Sequence, residues 1–408
     1  MLKIKTTIGK IQEFRKGKTA GVSFSKSIFL GITLLVLGQN EVKAQLTATG
    51  QIRERTEVRA GQGTLLKESD KAGLFNSQRT RLNVGFTGYR YKVYASLQDV
   101  RVFGQDRSTI NKITVDANDG ILFHEAWAEV MLIDTLSKIQ NMSLKVGRQE
   151  IAYDDQKVLG GLDWLQQGRR HDAIVFKYAN KGWVFDAGVA FNQNGEKNST
   201  TIFDPSVTTY PTGYSAGTNG VGALYKSFQY AYLGRKFFFG NLSFLFFKDD
   251  FNKVVAGTAA QGVFSRNTTG LYYNVNPTRK LNLTGSLYHQ GGHNKDGRSI
   301  SANLASITST YQVGRKLFVG PGVDYLSGTD GTKAITATSD TNTFDPLYGT
   351  PHKFWGTMDY FYAASPFGQQ GLLNYFFKVK YNASDKLTLL LDVHGFETAN
   401  KLASGESS

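Results

Sequence analysis

The sequence has no cysteine, only 7 prolines among 408 residues, and no apolar run long enough to span a membrane as a helix. The lack of cysteine excludes disulfide frameworks, thiolate metal sites and cysteine nucleophiles. The apolar run Ser27–Gly38 falls short of the roughly 18–20 residues that a membrane-spanning helix needs. Any membrane embedding must therefore be as a closed β-barrel, in which the strands satisfy one another's backbone groups.

The first 44 residues have the features of a secretory signal peptide. A basic region precedes the apolar run, and Val42-Lys43-Ala44 supplies the small residues that signal peptidase prefers. We expect cleavage after Ala44, which leaves residues 45–408 as one barrel domain. Cleavage removes 8 basic and 2 acidic residues and lowers the net charge from +14 to +8. Export also argues against nucleic acid as a partner.

The chain is rich in aromatic residues, with 28 Phe and 20 Tyr, and in segments that alternate apolar and polar residues. In Gln78–Gln98, Leu82 and Val84 alternate with Arg81 and Asn83. Because side chains alternate with period two along a strand, one face is apolar and the other cationic. Each run of this hairpin has about ten residues, the length of a tilted strand that crosses a bilayer. The pattern predicts an all-β transmembrane antiparallel barrel with its apolar rows towards outer-membrane lipid and its arginines towards a wet lumen.

The same alternation predicts further strands along the chain. Besides the hairpin and strand four, which contains residues 124–129, they are Leu46–Ala60, Met142–Tyr153, His171–Tyr178, Trp183–Asn192, Gly222–Arg235, Phe238–Lys248, Val263–Asn276, Lys280–Gln290, Ile300–Val313, Lys316–Ser327, Leu372–Tyr381 and Leu387–Phe396. Short connections alternate with long ones such as Asp249–Gln261, as in outer-membrane barrels. Gly328–Gln370 is assigned to one long outer loop, which can fold into the lumen. About 15–16 strands are predicted, and fifteen of them are assigned above. Because bacterial single-chain barrels have an even number of strands, we predict that closing strands are missing from the chain.

Several stretches occur in a characteristic order over residues 45–396. They are Gln78-Arg79-Thr80-Arg81-Leu82, Gly147-Arg148-Gln149, Tyr153-Asp154-Asp155, Gly160-Gly161-Leu162-Asp163-Trp164, Gly168-Arg169-Arg170-His171-Asp172-Ala173 and Gly356-Thr357-Met358-Asp359. Together they resemble the alginate-export family of outer-membrane porins. The resemblance implies an 18-stranded monomeric barrel, built by the barrel-assembly machinery in the outer membrane of a Gram-negative bacterium. It also implies an arginine-rich, anion-selective constriction that passes a polyuronate.

The predicted pore-lining residues are cations with acidic partners: Arg53, Arg55, Arg79, Arg81, Lys92, Glu125, Glu129, Arg148, Arg169 and Asp359. Arginine suits a carboxylate-bearing sugar or a small organic anion because its planar fork takes a carboxylate bidentately. We expect Glu125 and Glu129 to pair with arginines of neighbouring strands and, with Asp359, to hold the arginine row in place. A glycine bulge at Gly147 is expected to turn Arg148 inward.

Two alternatives stay open. The chain is a general anion-selective porin if its arginines only set a field without a dedicated substrate site. An outer-membrane hydrolase is the second alternative, although no G-x-S-x-G nucleophile elbow occurs. The zinc motif H-E-x-x-H begins at His124 but has alanine at position 128, so no metal site is predicted there. No catalytic residue and no cofactor are predicted.

Overall fold

The structure is a computed structural model that describes residues 45–60, 68–69, 71–104, 120–133, 140–192, 225–255, 258–333, 339–357 and 369–404. These residues form one 15-stranded antiparallel sheet whose strands follow the order of the chain. The predicted signal peptide and Asp359 lie outside the described residues. No helix in the described ranges is long and apolar enough to cross a membrane.

The strands are numbered in chain order. They are β1 Gln45–Arg59, β2 Gly73–Thr87, β3 Tyr91–Val102, β4 Leu122–Met131, β5 Gln140–Gln149, β6 His171–Asn180, β7 Trp183–Phe191, β8 Ser227–Phe237, β9 Gly240–Val255, β10 Thr258–Thr278, β11 Leu281–His293, β12 Ser299–Gln312, β13 Leu317–Leu326, β14 Leu372–Ser384 and β15 Leu387–Glu397. A 3-10 turn at Pro351–Lys353 lies between β13 and β14. The all-β fold and its fifteen strands are as the alternation predicts.

The two faces of the sheet differ as the alternation predicts. On β2, Leu82 and Val84 are exposed, whereas Ser77 and Arg79 on the other face are buried. We call this second face the inner face, because segments 150–170 and 339–357 of the chain pack against it, and the first the outer face. Since inner and outer residues alternate, the outer face carries a nearly continuous apolar surface suited to lipid.

Several predicted strand boundaries are wrong, and two examples show the cause. β5 ends at Gln149, so residues 150–153 leave the sheet instead of continuing the strand to Tyr153. β9 and β10 extend through most of the predicted connection at residues 249–261, because their backbone pairing continues past Asp250 up to Val255. Both changes occur at the ends of strands, where backbone pairing with a neighbour decides the boundary and side-chain alternation says little.

The two longest described connections fold onto the inner face. Segment 150–170 joins β5 to β6, and segment 339–357 belongs to the connection between β13 and β14. Leu159 and Tyr348 pair as a parallel bridge, which links the two segments to each other. Leu159 and Leu347 are fully buried in an apolar cluster with inner-face residues of β6 to β14. The expected inward folding of the loop within 328–370 is thus found in its described part.

β1 and β15 are the two ends of the strand order. Among the described residues, no backbone pairing joins these two strands. That closing strands follow β15 stays a prediction.

Candidate functional site

The first group of candidate residues is an arginine cluster on β1 and β2. Arg53 lies directly opposite Arg79 in the antiparallel register, and Arg81 lies opposite Gln51. Arg55 follows two residues after Arg53 on the same strand. Because the period along a strand is two, all four guanidinium groups project from the inner face.

Three of these arginines meet at one carboxylate, that of Asp163 in segment 150–170. Arg79 Nη1 lies 2.7 Å from Asp163 Oδ1, Arg53 Nη1 lies 3.4 Å from Oδ2, and Arg81 Nη1 lies 3.6 Å from Oδ1. Burial raises the pKa of the Asp163 carboxyl, but the hydrogen bond and charge of Arg79, together with the charges of Arg53 and Arg81, outweigh this effect, so the pKa lies below its usual value. The Asp163 side chain is still 62% exposed. It is an open carboxylate held by three cations.

Backbone carbonyls of the same segment accept further hydrogen bonds from the cluster. Arg53 donates to the Asp163 carbonyl at 2.6 Å and to the Leu165 carbonyl at 2.9 Å. Arg55 donates to the Trp164 carbonyl and places its guanidinium 4.2 Å from the centre of the Trp164 ring. His352, from the other inward segment, stacks on that ring at 3.8 Å. The cluster therefore holds the segment and is itself held in a fixed geometry.

A second polar group lies on β3 to β5. Glu129 pairs with Lys92 at 3.9 Å and accepts a hydrogen bond from Ser143 at 2.6 Å. Glu125 accepts hydrogen bonds from Trp127 Nε1 and from the backbone of residue 150. In the described part of the chain neither carboxylate forms an ion pair with an arginine, contrary to the expectation. The acid that contacts three of the arginines is Asp163, which lies 84 positions after Arg79 in the sequence.

His124, Glu125 and Glu150 bring three possible metal-donor atoms within 4.8 Å of one another. His124 Nε2 is 2.8 Å from Glu150 Oε1, so this nitrogen already has a partner. The positive charge of Arg81 acts on both Glu125 and Glu150. A bound cation would have to displace the histidine contact and overcome that charge, so the group is better explained as a hydrogen-bonded network.

Arg148 does not turn inward. The register of β5 is continuous through Gly147 with both β4 and β6, so the predicted glycine bulge is absent from these described pairings. Arg148 consequently lies opposite Asp172 on the outer face, in line with Val146. Arg169 does lie on the inner side, where it donates to the carbonyls of Gly160 and Gly349.

Buried ion pairs fix the two inward segments to the inner faces of β9, β10 and β13. Lys157 Nζ lies 2.8 Å from Asp324 Oδ1 of β13, and both side chains are almost completely buried. Arg266 of β10 pairs with Asp249 of β9 and with Asp345 of segment 339–357. No alternation pattern pointed to the pairs Lys157–Asp324 and Arg266–Asp345, because each joins a strand to a distant part of the chain. Arg266 and Asp249 lie opposite each other on the neighbouring strands β10 and β9.

Asp154 is a partly buried carboxyl at the point where segment 150–170 contacts β8 and β9. Ser243 donates to its oxygens at 2.8 and 2.9 Å, and Tyr232 donates at 2.9 Å. Burial raises the pKa of Asp154 to about 6, although these hydrogen bonds oppose the shift.

The chain matches the Alginate export family over residues 44–400. That is most of its length. The chain belongs to the alginate-export family. Family membership, with the sheet described above, identifies it as an outer-membrane porin of a Gram-negative bacterium. The lipid of that membrane is therefore a partner of its outer face.

Two solved structures are similar in fold to this member of the alginate-export family. OccAB4 of Acinetobacter baumannii is 14% identical, with a TM-score of 0.54 over 90% of this chain and 86% of that one. OccK5 (OpdH) of Pseudomonas aeruginosa is 14% identical, with a TM-score of 0.52 over 90% and 84%. These likenesses concern the fold. A search of curated proteins found no match.

Proposed function

We propose that this porin is an anion-selective channel for an alginate-like polyuronate or a related organic anion, and that its passage runs over the arginine cluster. The observation that carries the proposal is the convergence of Arg53, Arg79 and Arg81 on the single carboxylate of Asp163. Three guanidinium groups converge on this one acid. Glu125 and Glu150 also act on Arg81, but the groups in direct contact with the exposed oxygens of Asp163 are cations. Rings of charge of one sign are how channels select ions.

The chemistry of the cluster favours carboxylated sugars over other anions. The Asp163 carboxylate marks a position where a carboxylate receives hydrogen bonds from more than one arginine. A guanidinium group is weakly hydrated and presents a fork of donors, so it exchanges one carboxylate for another at modest desolvation cost. Arg55 and Arg169 extend the cationic row along the inner face. A chain of uronates can move past such a row by passing each carboxylate to the next arginine.

The test compares two substitutions that break the same contact but change the charge in opposite directions. Asp163→Asn removes the acid, and Arg81→Gln removes one of its cations. In planar bilayers across a KCl gradient, the wild-type channel should show a reversal potential of the sign for chloride. Asp163→Asn should increase anion selectivity and Arg81→Gln should lower it, because fixed charges near the passage act within a screening length of about 10 Å at 0.1 M salt.

Loosening of segment 150–170 would move both variants in the same direction, so opposite shifts identify charge as the cause. A cation-selective wild-type channel would contradict the proposal.

A general anion-selective porin is the second candidate, since the arginines also serve to hold the segment. An oligogalacturonate distinguishes the two. A dedicated polyuronate channel should show blockade of the chloride current by a trimer of galacturonate at concentrations where galacturonate monomer has no effect. Equal effects of the trimer and of three equivalents of monomer would favour the general porin.

The remaining parts of the proposal concern assembly and activity. We propose that the signal peptide is cleaved after Ala44, that the barrel-assembly machinery inserts residues 45–408, and that the porin works as a monomer without hydrolase activity or a cofactor. The amino-terminal sequence of the exported protein tests the cleavage site. Release of fatty acid from phospholipid by the purified porin would argue for the hydrolase alternative.

A further inference from the structure

Arg148, Arg170 and Asp172 form a charged group on the outer face, where β5 ends and β6 begins. Arg148 donates two hydrogen bonds to Asp172, from Nε to Oδ1 at 2.8 Å and from Nη2 to Oδ2 at 2.9 Å. Arg170 immediately precedes β6 and is close enough to Arg148 for the two positive charges to repel each other. One carboxylate therefore lies between two guanidinium groups, and one positive charge is left over.

Arg170 differs from the other two residues of this group in its lack of direct side-chain partners among the residues that the structure describes. Within the described residues it forms no ion pair and no hydrogen bond through its side chain, although it is partly buried. Burial and the charge of Arg148 lower the pKa of Arg170, which shows that its cation lacks a sufficient counter-charge. A cavity of about 330 Å³ lies beside it and is lined by Arg148, Leu162, Gly168, Arg169, Arg170, Asp172 and Asn192.

The Arg148–Asp172 pair lies at the edge of the apolar outer surface. Leu162, Gly168 and Arg169 of segment 150–170 line the other side of the cavity, so the cavity lies where β5 and β6 meet that segment. Val146 and Ile174 are exposed on the outer face, each two residues along its strand from Arg148 or Asp172. Two residues of a strand span about 6.6 Å. The charged group is thus one step beyond the apolar band, on the side of the long connections. In outer-membrane barrels this side faces the cell exterior, and lipid headgroups lie at that depth.

We propose that this cavity binds a phosphate group of an outer-leaflet lipid headgroup, with Arg170 as the principal donor. The spare charge, the planar donor forks and the depth all suit a phosphate. Arg148 keeps its bond to Asp172 and adds its remaining Nη1 group. The inference does not depend on which anion the channel carries.

The experiment measures how phosphorylated lipopolysaccharide changes the thermal unfolding of the full-length porin in detergent. The lipid should raise the unfolding temperature of the wild type. In Arg170→Gln the lipid concentration for half of the rise should increase about tenfold, the effect of losing one hydrogen bond between charged groups. The anion selectivity of this variant should stay at the wild-type value.

Arg235→Gln is the matched control. Arg235 is an outer-face arginine at the opposite, short-turn end of the sheet, where it covers the Trp183 ring at 4.7 Å. This variant should keep the full response to lipopolysaccharide. Because Arg148→Gln alone leaves Asp172 unpaired, the double variant Arg148→Gln, Asp172→Asn serves as a second test and should also respond less.

Three results would overturn the proposal. The first is an unchanged lipid response in Arg170→Gln. The second is an equal rise with dephosphorylated lipopolysaccharide or with inorganic phosphate alone, which would exclude a lipid phosphate as the specific ligand. The third is loss of oligogalacturonate blockade in Arg170→Gln with an intact lipid response, which would assign the cavity to the passage. Cation selectivity of the wild type would contradict the channel proposal and leave this one standing.

Discussion

Adjacent residues on β2 experience opposite surroundings. Val84 lies on the outer face, whereas Asn83 lies on the inner face and hydrogen-bonds with Thr49 and Ser96. Val84→Arg should hinder assembly, because a cation near the middle of the bilayer costs about 2–4 kcal/mol. Asn83→Arg, which adds the same side chain one position away, should assemble normally. Heat-modifiable migration on gels measures the folded fraction, and equal fractions for the two variants would contradict the assignment of faces.

The alternation of residues along each strand was enough to predict which face of the sheet most of the candidate side chains lie on. Arg53, Arg79 and Lys92 lie on the inner face as expected, because the period of a strand fixes the face once its register is known. It failed for Arg148, where the exchange of apolar and polar residues after Gly147 marks the end of the membrane-facing band and not a bulge. It also missed Asp163 as the partner of the arginines, since that contact depends on a segment outside the sheet.

Segment 150–170 is attached by single buried contacts that can be removed one at a time. Lys157→Met should leave Asp324 charged and buried without its cation, which costs about 3–5 kcal/mol. We expect a lower unfolding temperature and noisier single-channel currents, because the segment loses its contact with β13. The double variant Lys157→Met, Asp324→Asn should recover most of the stability, since no buried charge is left. A quiet, fully stable Lys157→Met channel would show that the apolar cluster alone holds the segment.

The same segment should respond to pH through Asp154. Its pKa is about 6 when the segment is seated, against 3.8 for an ordinary aspartate. Protonation therefore favours the seated state: this contribution is complete below pH 4 and is lost as the pH rises through 6. Single-channel currents should be quieter at pH 5 than at pH 7.5. Asp154→Asn should be quiet at both values, and a variant that keeps the full pH dependence would assign the effect to another group.

The elements themselves followed from the sequence more closely than their contacts did. Every strand was expected near its observed position, because about ten alternating residues with turns on both sides leave few other structures. The inward course of 150–170 was not expected, since residues 150–153 continue the alternation of β5. What draws them away is the burial of Ile151 and Leu159 against the inner face of β6 to β14, a contact between parts far apart in sequence.

The interior of the whole molecule is divided by the two inward segments. Towards β6–β14 they pack on apolar side chains and buried ion pairs, and towards β1–β5 they meet the arginine cluster, where the Asp163 carboxylate is exposed. We expect the passage to run along the inner face of β1–β5. The chain has no cysteine, so a thiol reagent reacts only with a cysteine introduced by substitution, and the reaction reports whether that position is accessible to solvent. Arg55→Cys should react with a charged thiol reagent and reduce the current, whereas Ala302→Cys, fully buried on the inner face, should not react. The reverse result would show that the passage runs along β6–β14 instead.

In the proposed channel, the Asp163 carboxylate also competes, as a ligand tethered to the chain, with the anion that the arginines bind. Because it is part of the chain, its local concentration near Arg53, Arg79 and Arg81 is fixed and does not fall when the solution is diluted. An incoming carboxylate must displace the Asp163 carboxylate from the arginines. The Asp163 carboxylate then returns as soon as the incoming group leaves. Each anion is thus held only while it outcompetes an internal ligand of the same chemistry. Such a porin can pass a polyanion with many binding groups without being clogged by the avidity of the polymer.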